Sequence, residues 1–225
     1  MANTSKSEPA ALLFDLDGTL VDSAITIATA LSELSATRGG GPADVGRTRR
    51  LVSRGAPTLV RETLGPLAGD TVADIAAFRA ILAGIPAEPA MIFPGVVDAL
   101  VGMTSAGHIC AVVTNKPETL ARLLLDQLDM TRFFAAVVGG DTLPTSKPDP
   151  APLRHALHAM DVADRAAVMI GDSPVDARAA RAAGLPFLLY RKGYEADGCR
   201  GETTAATFAV FEELPALLRT DIASH

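Results

Sequence analysis

The chain has 225 residues, of which 48% are apolar and 20% charged, and its formal net charge is −6. This composition is typical of a globular protein with one large domain, or a main domain with a smaller inserted one, and it excludes a disordered or fibrous chain. Because only 4% of the residues are aromatic and the charge balance is acidic, we expect no binding to nucleic acid.

The cysteines and the N-terminal segment bear on the location of the protein. Cys110 lies in an apolar run and Cys199 in a polar one, so we expect neither a disulfide framework nor a metal site from them. The segment before Pro9 is polar, and no apolar run approaches the ~18 residues of a membrane span. We therefore expect a cytoplasmic protein that does not contact a membrane. The sequence does not indicate its oligomeric state.

Short apolar runs predict buried parallel strands. The first ends at an acidic pair, and four more follow in the second half of the chain, each separated from the next by a segment with helical periodicity. The five runs are Ala10 to Phe14, His108 to Thr114, Ala135 to Val138, Ala166 to Ile170 and Pro186 to Tyr190. This alternation predicts an α/β fold with a right-handed, doubly wound parallel sheet.

A long segment without strands follows the first run. It is too long for one crossover helix, and we interpret residues 23–93 as an inserted α-helical domain, flanked by Gly39 to Gly41 and by Pro94-Gly95. Residues 1–22 and 94–225 would then form the sheet-containing domain. The predicted helices of the insertion are Ile25 to Thr37, Ala43 to Arg54, Thr58 to Leu64 and Val72 to Leu82.

Acidic side chains follow two of the predicted strands. Asp15 and Asp17 come directly after the first, and Asp172 follows the strand that ends at Ile170. Doubly wound folds bind ligands at this carboxyl edge of the sheet. Carboxylates that converge there repel one another unless a cation lies among them, and oxygen ligands suit Mg²⁺. The sequence therefore predicts a magnesium site.

The residues after Asp172 have a structural explanation. Ser173 is placed as the N-cap of a helix, Pro174 at its first position, Asp176 in its first turn and Gly184 at its end. Helix capping accounts for Ser173 and Asp176, but it does not account for Asp172.

Groups that could bind an anion reach the same edge. Thr114 and Asn115 end the second strand, and Asn115 and Glu118 have the spacing of a helix-capping pair, which would direct backbone N–H groups towards the site. Lys147, one of only four lysines, follows the third strand. Taken alone it would be a solvated loop residue, but its position near the acids favours a role in binding an anion.

Four segments together resemble the motifs of haloacid dehalogenase-like hydrolases, in the same order and spacing and across nearly the whole chain. They are Asp15-Leu16-Asp17-Gly18-Thr19-Leu20-Val21-Asp22-Ser23, Thr114-Asn115-Lys116, Ser146-Lys147-Pro148-Asp149-Pro150, and Gly171-Asp172-Ser173 with Asp176. Within the family, Leu20 to Ser23, Lys147 to Pro152 and Ala177 to Gly184 look most similar to phosphoglycolate phosphatases. The inserted segment resembles the helical cap of these enzymes.

The resemblance implies a Mg²⁺-dependent phosphatase acting on a small phosphomonoester, 2-phosphoglycolate or a similar phosphorylated acid. Asp15 would attack phosphorus and form an aspartyl-phosphate, and Asp17 would protonate the leaving group and then activate water. Lys147 and Thr114 would stabilise the phosphoryl charge. The implied metal ligands are Asp15, the backbone carbonyl of Asp17 and Asp172, with Ser173 and Asp176 behind them; the implied substrate-binding residues include Gly18, Thr19 and Asn115.

Other activities stay open or are disfavoured. A sugar-phosphate mutase of the same superfamily uses the same pair of aspartates. A receiver-type phosphoacceptor signalling domain combines similar residues but lacks an insertion after its first strand. Asp17 disfavours dehalogenation, and the absence of lysine between Lys6 and Lys116 disfavours phosphonate cleavage. The segment from Gly193 to Thr204 departs from the aromatic and glycine-containing stretch associated with phosphoglycolate enzymes.

An arginine cluster lies in the predicted insertion. Arg47, Arg50 and Arg54, with Arg49 beside them, are expected on one face of a helix that ends at Gly55. They form either a solvated basic face or a substrate-binding site. Because Arg54 falls where similar phosphoglycolate phosphatases have a specificity loop, we hypothesise that Arg54, with Arg50, binds a carboxylate on the leaving group.

Overall fold

The computed structural model describes residues 9–162 and 165–220. Six parallel strands form one sheet in the order β3-β2-β1-β4-β5-β6. The strands are β1 (Ala11–Phe14), β2 (Ile109–Val113), β3 (Phe134–Val138), β4 (Ala167–Gly171), β5 (Phe187–Tyr190) and β6 (Ala206–Phe208). The predicted α/β fold is confirmed. The apolar pattern does not predict β6, because its three residues form no apolar run.

Nine helices are found in the described part of the chain. They are α1 (Ala24–Ala36), α2 (Val45–Leu51), α3 (Ala56–Leu64), α4 (Thr71–Gly84), α5 (Val96–Ser105), α6 (Glu118–Gln127), α7 (Ala151–Ala159), α8 (Pro174–Ala183) and α9 (Leu214–Thr220). None of the described helices is both long and apolar enough to cross a membrane. Location in the cytoplasm stays a prediction.

Helices cover both faces of the sheet. The alternation of side chains along β1 shows this, because Leu12 and Phe14 pack with residues of α5, α6 and α9, whereas Ala11 and Leu13 pack with residues of α7 and α8. All four residues of β1 are buried. Continuous burial on both faces is typical of a central parallel strand, and it leaves the ends of the strands as the places where polar groups meet.

Helices α1 to α4 lie between β1 and β2, in the segment predicted as the insertion, and share a hydrophobic core. Leu31, Leu59 and Phe78 lie in this core, and Leu120 of α6 joins it, so the insertion packs against the sheet-containing part. The two ends of the insertion lie side by side. The Asp22 N–H donates to the Met91 carbonyl at 2.7 Å, and the Phe93 N–H donates to the Leu20 carbonyl at 3.1 Å. The division into domains 1–22 with 94–225 and 23–93 stays a prediction.

Two expectations about the insertion are wrong in detail. The stretch from Gly39 to Gly41 lies between α1 and α2, inside the insertion, and does not flank it. Helix α2 ends at Leu51, and a 3₁₀ turn from Val52 to Arg54 follows before Gly55, whose φ is +81°. Because the 3.6-residue period stops at Leu51, Arg54 does not continue the helical face of the preceding arginines.

Candidate active site

Three carboxylates converge at the carboxyl edge of the sheet. Asp15 follows β1, Asp172 follows β4, and Asp176 lies in the first turn of α8. One oxygen atom from each lies within 4.8 Å of the others. Strands β1 and β4 are neighbours, while the chain crosses from β1 to β2 on the other side, so the cluster lies where the strand order reverses. This is the place where doubly wound folds bind ligands.

Lys147 is the buried cation of this cluster. Its Nζ donates to the Oδ1 of Asp15 at 2.9 Å and to the Oδ1 of Asp176 at 2.6 Å, and only 2% of its side chain is exposed. Burial alone would lower the pKa of Lys147, but the adjacent Asp15 and Asp176 carboxylates raise it above its usual value. The ammonium group is therefore charged and held between two acids.

The charges of the cluster do not cancel. Burial, followed by the charge of Asp176, raises the pKa of Asp15 to about 7 despite the opposing effect of Lys147. Burial and the charge of Asp15 raise the pKa of Asp172 well above its usual range. The raised pKa values of Asp15 and Asp172 mean that the cluster needs a further positive charge to be fully ionised, and its carboxyl groups offer only oxygen ligands. These donors fit a hard divalent cation such as Mg²⁺.

Asp172 is held tightly by its surroundings. Its Oδ1 accepts the Thr19 hydroxyl at 2.9 Å, and its Oδ2 accepts the Tyr194 N–H at 2.6 Å. A methyl group on Gly193 would lie 2.1 Å from the Cβ of Asp172, and one on Gly18, whose φ is +91°, would lie 2.6 Å from its Oδ2. Two glycines thus allow the close approach that fixes this carboxylate.

The predicted capping of α8 is confirmed. The Oδ2 of Asp176 accepts the Ser173 N–H at 3.1 Å and the Ser173 hydroxyl at 2.6 Å, and the Asp176 N–H points back to the Ser173 Oγ at 3.3 Å. Gly184 ends the helix with φ +76°. Asp176 therefore has two structural roles: its Oδ2 completes the cap of α8, and its Oδ1 accepts a hydrogen bond from Lys147.

Asp17 forms a second aspartate–lysine pair. The Nζ of Lys116 lies 3.1 Å from its Oδ1 and 3.3 Å from its Oδ2, and the Ser23 hydroxyl also donates to Oδ1. Both Asp17 and Lys116 have nearly buried side chains. Lys116 lies in one of the four motifs, but no role is predicted for it from the sequence. Its position after β2, at the same edge as Asp17, is the signal that could have identified it.

Asn115 connects the insertion to the sheet. Its Nδ2 donates to the Ser53 carbonyl at 2.8 Å and to the Lys147 carbonyl at 2.9 Å. The expected capping pair of Asn115 and Glu118 is wrong: α6 begins at Glu118, and the Glu118 N–H donates to Asp141 at 2.8 Å. Pro117 is the N-cap residue of α6, so Asn115 lies two positions before the cap, and its Nδ2 binds two backbone carbonyls outside the helix.

A polar cleft with about 230 Å³ of open space brings most of the predicted site residues together. Val52 and Ser53 of the insertion form part of its wall. The predicted residues that line it are Asp15, Asp17, Thr114, Asn115, Lys147, Ser173 and Asp176, and Lys116 lines it as well. Thr19 and Asp172 are not among the residues that line it, and they are joined by a hydrogen bond.

A wider cavity, open to solvent, adjoins the cleft at Lys147, and Arg54, Arg178 and Glu195 also line it. Arg54 is exposed, and its charge acts on the Glu195 carboxylate. Arg50, also exposed, is not among the described residues that line this cavity. The structure thus brings Arg54 near the cleft and leaves Arg50 apart from it.

A contact between the insertion and the loop after β5 is not predicted from the sequence. The Tyr194 hydroxyl donates to Asp22 at 2.8 Å and accepts the Ala24 N–H at 2.9 Å. Arg49 pairs with Asp22 at 3.0 Å and lies over the Tyr194 ring, and the Ser53 hydroxyl donates to Glu195. The position of this loop at the carboxyl end of β5 is the only signal in the sequence.

Comparison with known proteins assigns the family. The profile of the haloacid dehalogenase-like hydrolases matches residues 12–190. The chain belongs to this family. It is 40% identical over 213 residues to the plasmid-encoded phosphoglycolate phosphatase of Cupriavidus necator, covering 92% of each chain. It is 36% identical to the phosphoglycolate phosphatase of Rhodobacter capsulatus, covering 92% of this chain and 96% of that one.

Solved structures of the family have the same fold. CbbY of Rhodobacter sphaeroides, solved in complex with phosphate, superposes with a TM-score of 0.77 at 26% identity, over 93% of this chain and 99% of that one. A haloacid dehalogenase-like hydrolase of Streptococcus pneumoniae superposes with a TM-score of 0.78 at 22% identity, over 92% and 97%. The predicted family and the predicted enzyme class, a phosphoric monoester hydrolase, are confirmed. Family membership excludes the receiver-type alternative.

Proposed function

We propose that this chain is a Mg²⁺-dependent phosphatase that hydrolyses 2-phosphoglycolate or a similar small phosphorylated acid through an aspartyl-phosphate on Asp15. The observation that carries the proposal is the cleft lined by Asp15, Asp17 and Lys147, since Asp15 also belongs to the acidic cluster. The relatives named phosphoglycolate phosphatase, which match over most of the chain, support the substrate class.

The proposed metal ligands combine two members of the acidic cluster with one that the family resemblance implies. Asp15, Asp172 and the main-chain carbonyl of Asp17 would hold Mg²⁺, with Asp176 and Ser173 orienting the neighbouring groups. When bound, the ion would neutralise the charge of the nucleophile and of the phosphoryl group, which otherwise repel each other.

The two aspartates would divide the chemistry between them. An oxygen of Asp15 forms a bond to phosphorus while the bond to the leaving oxygen breaks. Asp17, which would carry a proton in the substrate complex, gives that proton to the leaving oxygen. In the second step a water oxygen attacks phosphorus, Asp17 takes the proton of the water, and the bond to Asp15 breaks. Phosphate leaves, and both aspartates return to their starting states.

Other residues would bind the phosphoryl group and exclude water. Lys147, held beside Asp15, and the buried Thr114 would balance the charge on the phosphoryl oxygens. The helical insertion would act as a cap, because Val52 and Ser53 already line the cleft. Gly18, Thr19 and Asn115 would shape the substrate site through the contacts that they make within it.

A screen of phosphate release tests this function. The chain should release inorganic phosphate from small phosphorylated acids when Mg²⁺ is present, and much less from nucleotides or sugar phosphates. Chelation of the metal should abolish the release. Release from none of the panel would contradict the proposal, and isomerisation of a sugar phosphate without net release would identify a mutase instead.

A further inference from the structure

Lys116 is a nearly buried cation that the proposed mechanism does not use. Only 7% of its side chain is exposed, and its Nζ lies within hydrogen-bond distance of both oxygens of Asp17, at 3.1 and 3.3 Å. Burying an ammonium group is costly unless an opposite charge lies close by, so its place in the structure is explained by Asp17. The pair therefore resembles the pair of Lys147 and Asp15, and both pairs line the same cleft.

The backbone turn that carries Lys116 is rigid. Its N–H donates to the Thr114 hydroxyl at 3.1 Å, and its carbonyl accepts the Gly140 N–H at 2.8 Å. A methyl group on Gly140 would lie 2.4 Å from the Asn115 carbonyl oxygen, so the two loops are in direct contact. The side chain of Lys116 thus starts from a fixed point at the end of β2.

Asp17 and Lys116 stand where the leaving group would pass. Both line the polar cleft that holds Asp15, and both line a second, mainly apolar cavity between the insertion and α6, walled by Phe78, Leu82 and other residues. Any substrate with phosphorus beside Asp15 and its carbon part under the insertion places its bridging oxygen near Asp17. A general acid must lie within hydrogen-bond reach of that oxygen.

We propose that Lys116 is a positioning residue that holds the side chain of Asp17 in the orientation in which its protonated form can give a proton to the leaving oxygen. With Ser23 on Oδ1 and Lys116 on both oxygens, rotation of the carboxylate is restricted from two sides. The inference rests on the proposed function, and it assigns to Lys116 no bond to substrate. Proton transfer balances as in the proposed mechanism, between Asp17 and the leaving oxygen.

The test compares leaving groups that differ in their need for a proton. An alkoxide leaves poorly unless it is protonated, whereas p-nitrophenolate leaves without help. Single-turnover release of the leaving group isolates the first chemical step from the hydrolysis of the phospho-enzyme. The substrates are 2-phosphoglycolate, 2-hydroxyethyl phosphate, which has an alkyl leaving group without a carboxylate, and p-nitrophenyl phosphate.

Lys116→Met should slow release from both alkyl phosphates about tenfold or more and should change release from p-nitrophenyl phosphate about twofold at most. Lys116→Arg, which keeps a cation, should recover most of the rate on the alkyl phosphates. Lys192→Met, at an exposed lysine, is the matched control and should behave as wild type. If the Met variant does not fold by circular dichroism, Lys116→Gln, of similar size and uncharged, replaces it.

Each other outcome overturns the inference in a distinct way. Equal losses on all three substrates would show a structural role, and a loss confined to 2-phosphoglycolate would show that Lys116 binds the carboxylate of the substrate. Unchanged rates would show that Asp17 is held without Lys116. If the wild type hydrolyses none of the three substrates in Mg²⁺, the proposed function itself fails, and this inference fails with it.

Discussion

The ammonium group of Lys147 lies 2.9 Å from the Oδ1 of Asp15, although 132 positions of sequence separate the two residues. The same ammonium group lies 2.6 Å from Asp176, so one lysine joins the loop after β3 to β1 and to α8. This contact places a permanent positive charge beside the proposed nucleophile. It also means that the acidic cluster is only partly neutralised by the protein itself.

Replacing the proposed nucleophile should stop turnover. In Asp15→Asn the amide is too weak a nucleophile to form the phospho-enzyme, so phosphate release should fall to background while the fold is kept. Asp126→Asn, at an exposed position of α6, is the control. A rate for Asp15→Asn within about tenfold of the wild type would remove Asp15 from the mechanism.

The acidic cluster should make the metal-free protein less stable as the pH rises. The pKa of Asp15 is raised from 3.8 to about 7, so the folded chain binds this proton more tightly than the unfolded chain. The corresponding stabilisation is fully present below pH 3.8 and is lost as the pH rises through about 7. Asp172, whose pKa is also raised, acts in the same direction. Melting temperatures measured in a chelator between about pH 4 and pH 8 test this.

Adding Mg²⁺ should restore the stability that the metal-free protein loses as the pH rises. Because the cation competes with protons for the same carboxylates, the rise in melting temperature on adding Mg²⁺ should be larger at about pH 8 than at about pH 5. In Asp15→Asn both the pH dependence of the metal-free protein and the effect of Mg²⁺ should be smaller. An Mg²⁺ effect that does not change with pH would argue against binding among these acids.

Removing the Asp172 carboxylate should weaken metal binding more than it destabilises the fold. Asp172→Ala takes one carboxylate from the cluster, so the Mg²⁺ concentration needed for half-maximal activity should rise about tenfold or more. The binding constant from calorimetry should change in parallel. Asp126→Ala serves as the control at an exposed position. The same activation constant in Asp172→Ala and wild type would show that Asp172 is not a ligand.

A methyl group next to Asp172 should disturb the site. In Gly193→Ala the added carbon would lie 2.1 Å from the Asp172 Cβ, so the loop or the carboxylate must shift, at a cost of about 1–3 kcal/mol in unfolding free energy and with weaker Mg²⁺ binding. Gly102→Ala is the matched control, since a methyl group there meets no atom within 4 Å. Within α5 it should stabilise the protein by about 0.5–1 kcal/mol. Denaturant unfolding of both variants measures the contrast.

Arg54 should affect the choice of substrate. It lines the cavity next to Lys147, so Arg54→Ala should raise the KM for 2-phosphoglycolate far more than the KM for p-nitrophenyl phosphate, which carries no carboxylate. Arg61→Ala, an exposed arginine of α3 that lines a different cavity, should leave both values unchanged. Equal effects of Arg54→Ala on both substrates would show that Arg54 is a solvated surface charge and does not bind the carboxylate of the substrate.

Local pattern was sufficient to predict the central strands and the caps of α8. An apolar run followed by acids indicates a buried strand that ends at a ligand-binding edge, and Asp15 and Asp172 do lie together there. The capping box of Ser173 and Asp176 depends on residues three apart, so the sequence contains it completely. Local pattern failed for β6, whose three residues become a strand only because β5 lies beside them.

By itself the sequence therefore determined the fold class and the family motifs, because both depend on residues that are near one another in the chain. It also determined the edge of the sheet at which the acidic residues meet, because the carboxyl ends of parallel strands lie at one edge. Only the tertiary structure decided which polar groups pair. The Lys116 ammonium group binds the Asp17 carboxylate, 99 positions away in the sequence. The Tyr194 hydroxyl accepts the Ala24 N–H, 170 positions away. Such pairs form because a buried charge or polar group must find a partner in space, and nothing in its local sequence identifies that partner.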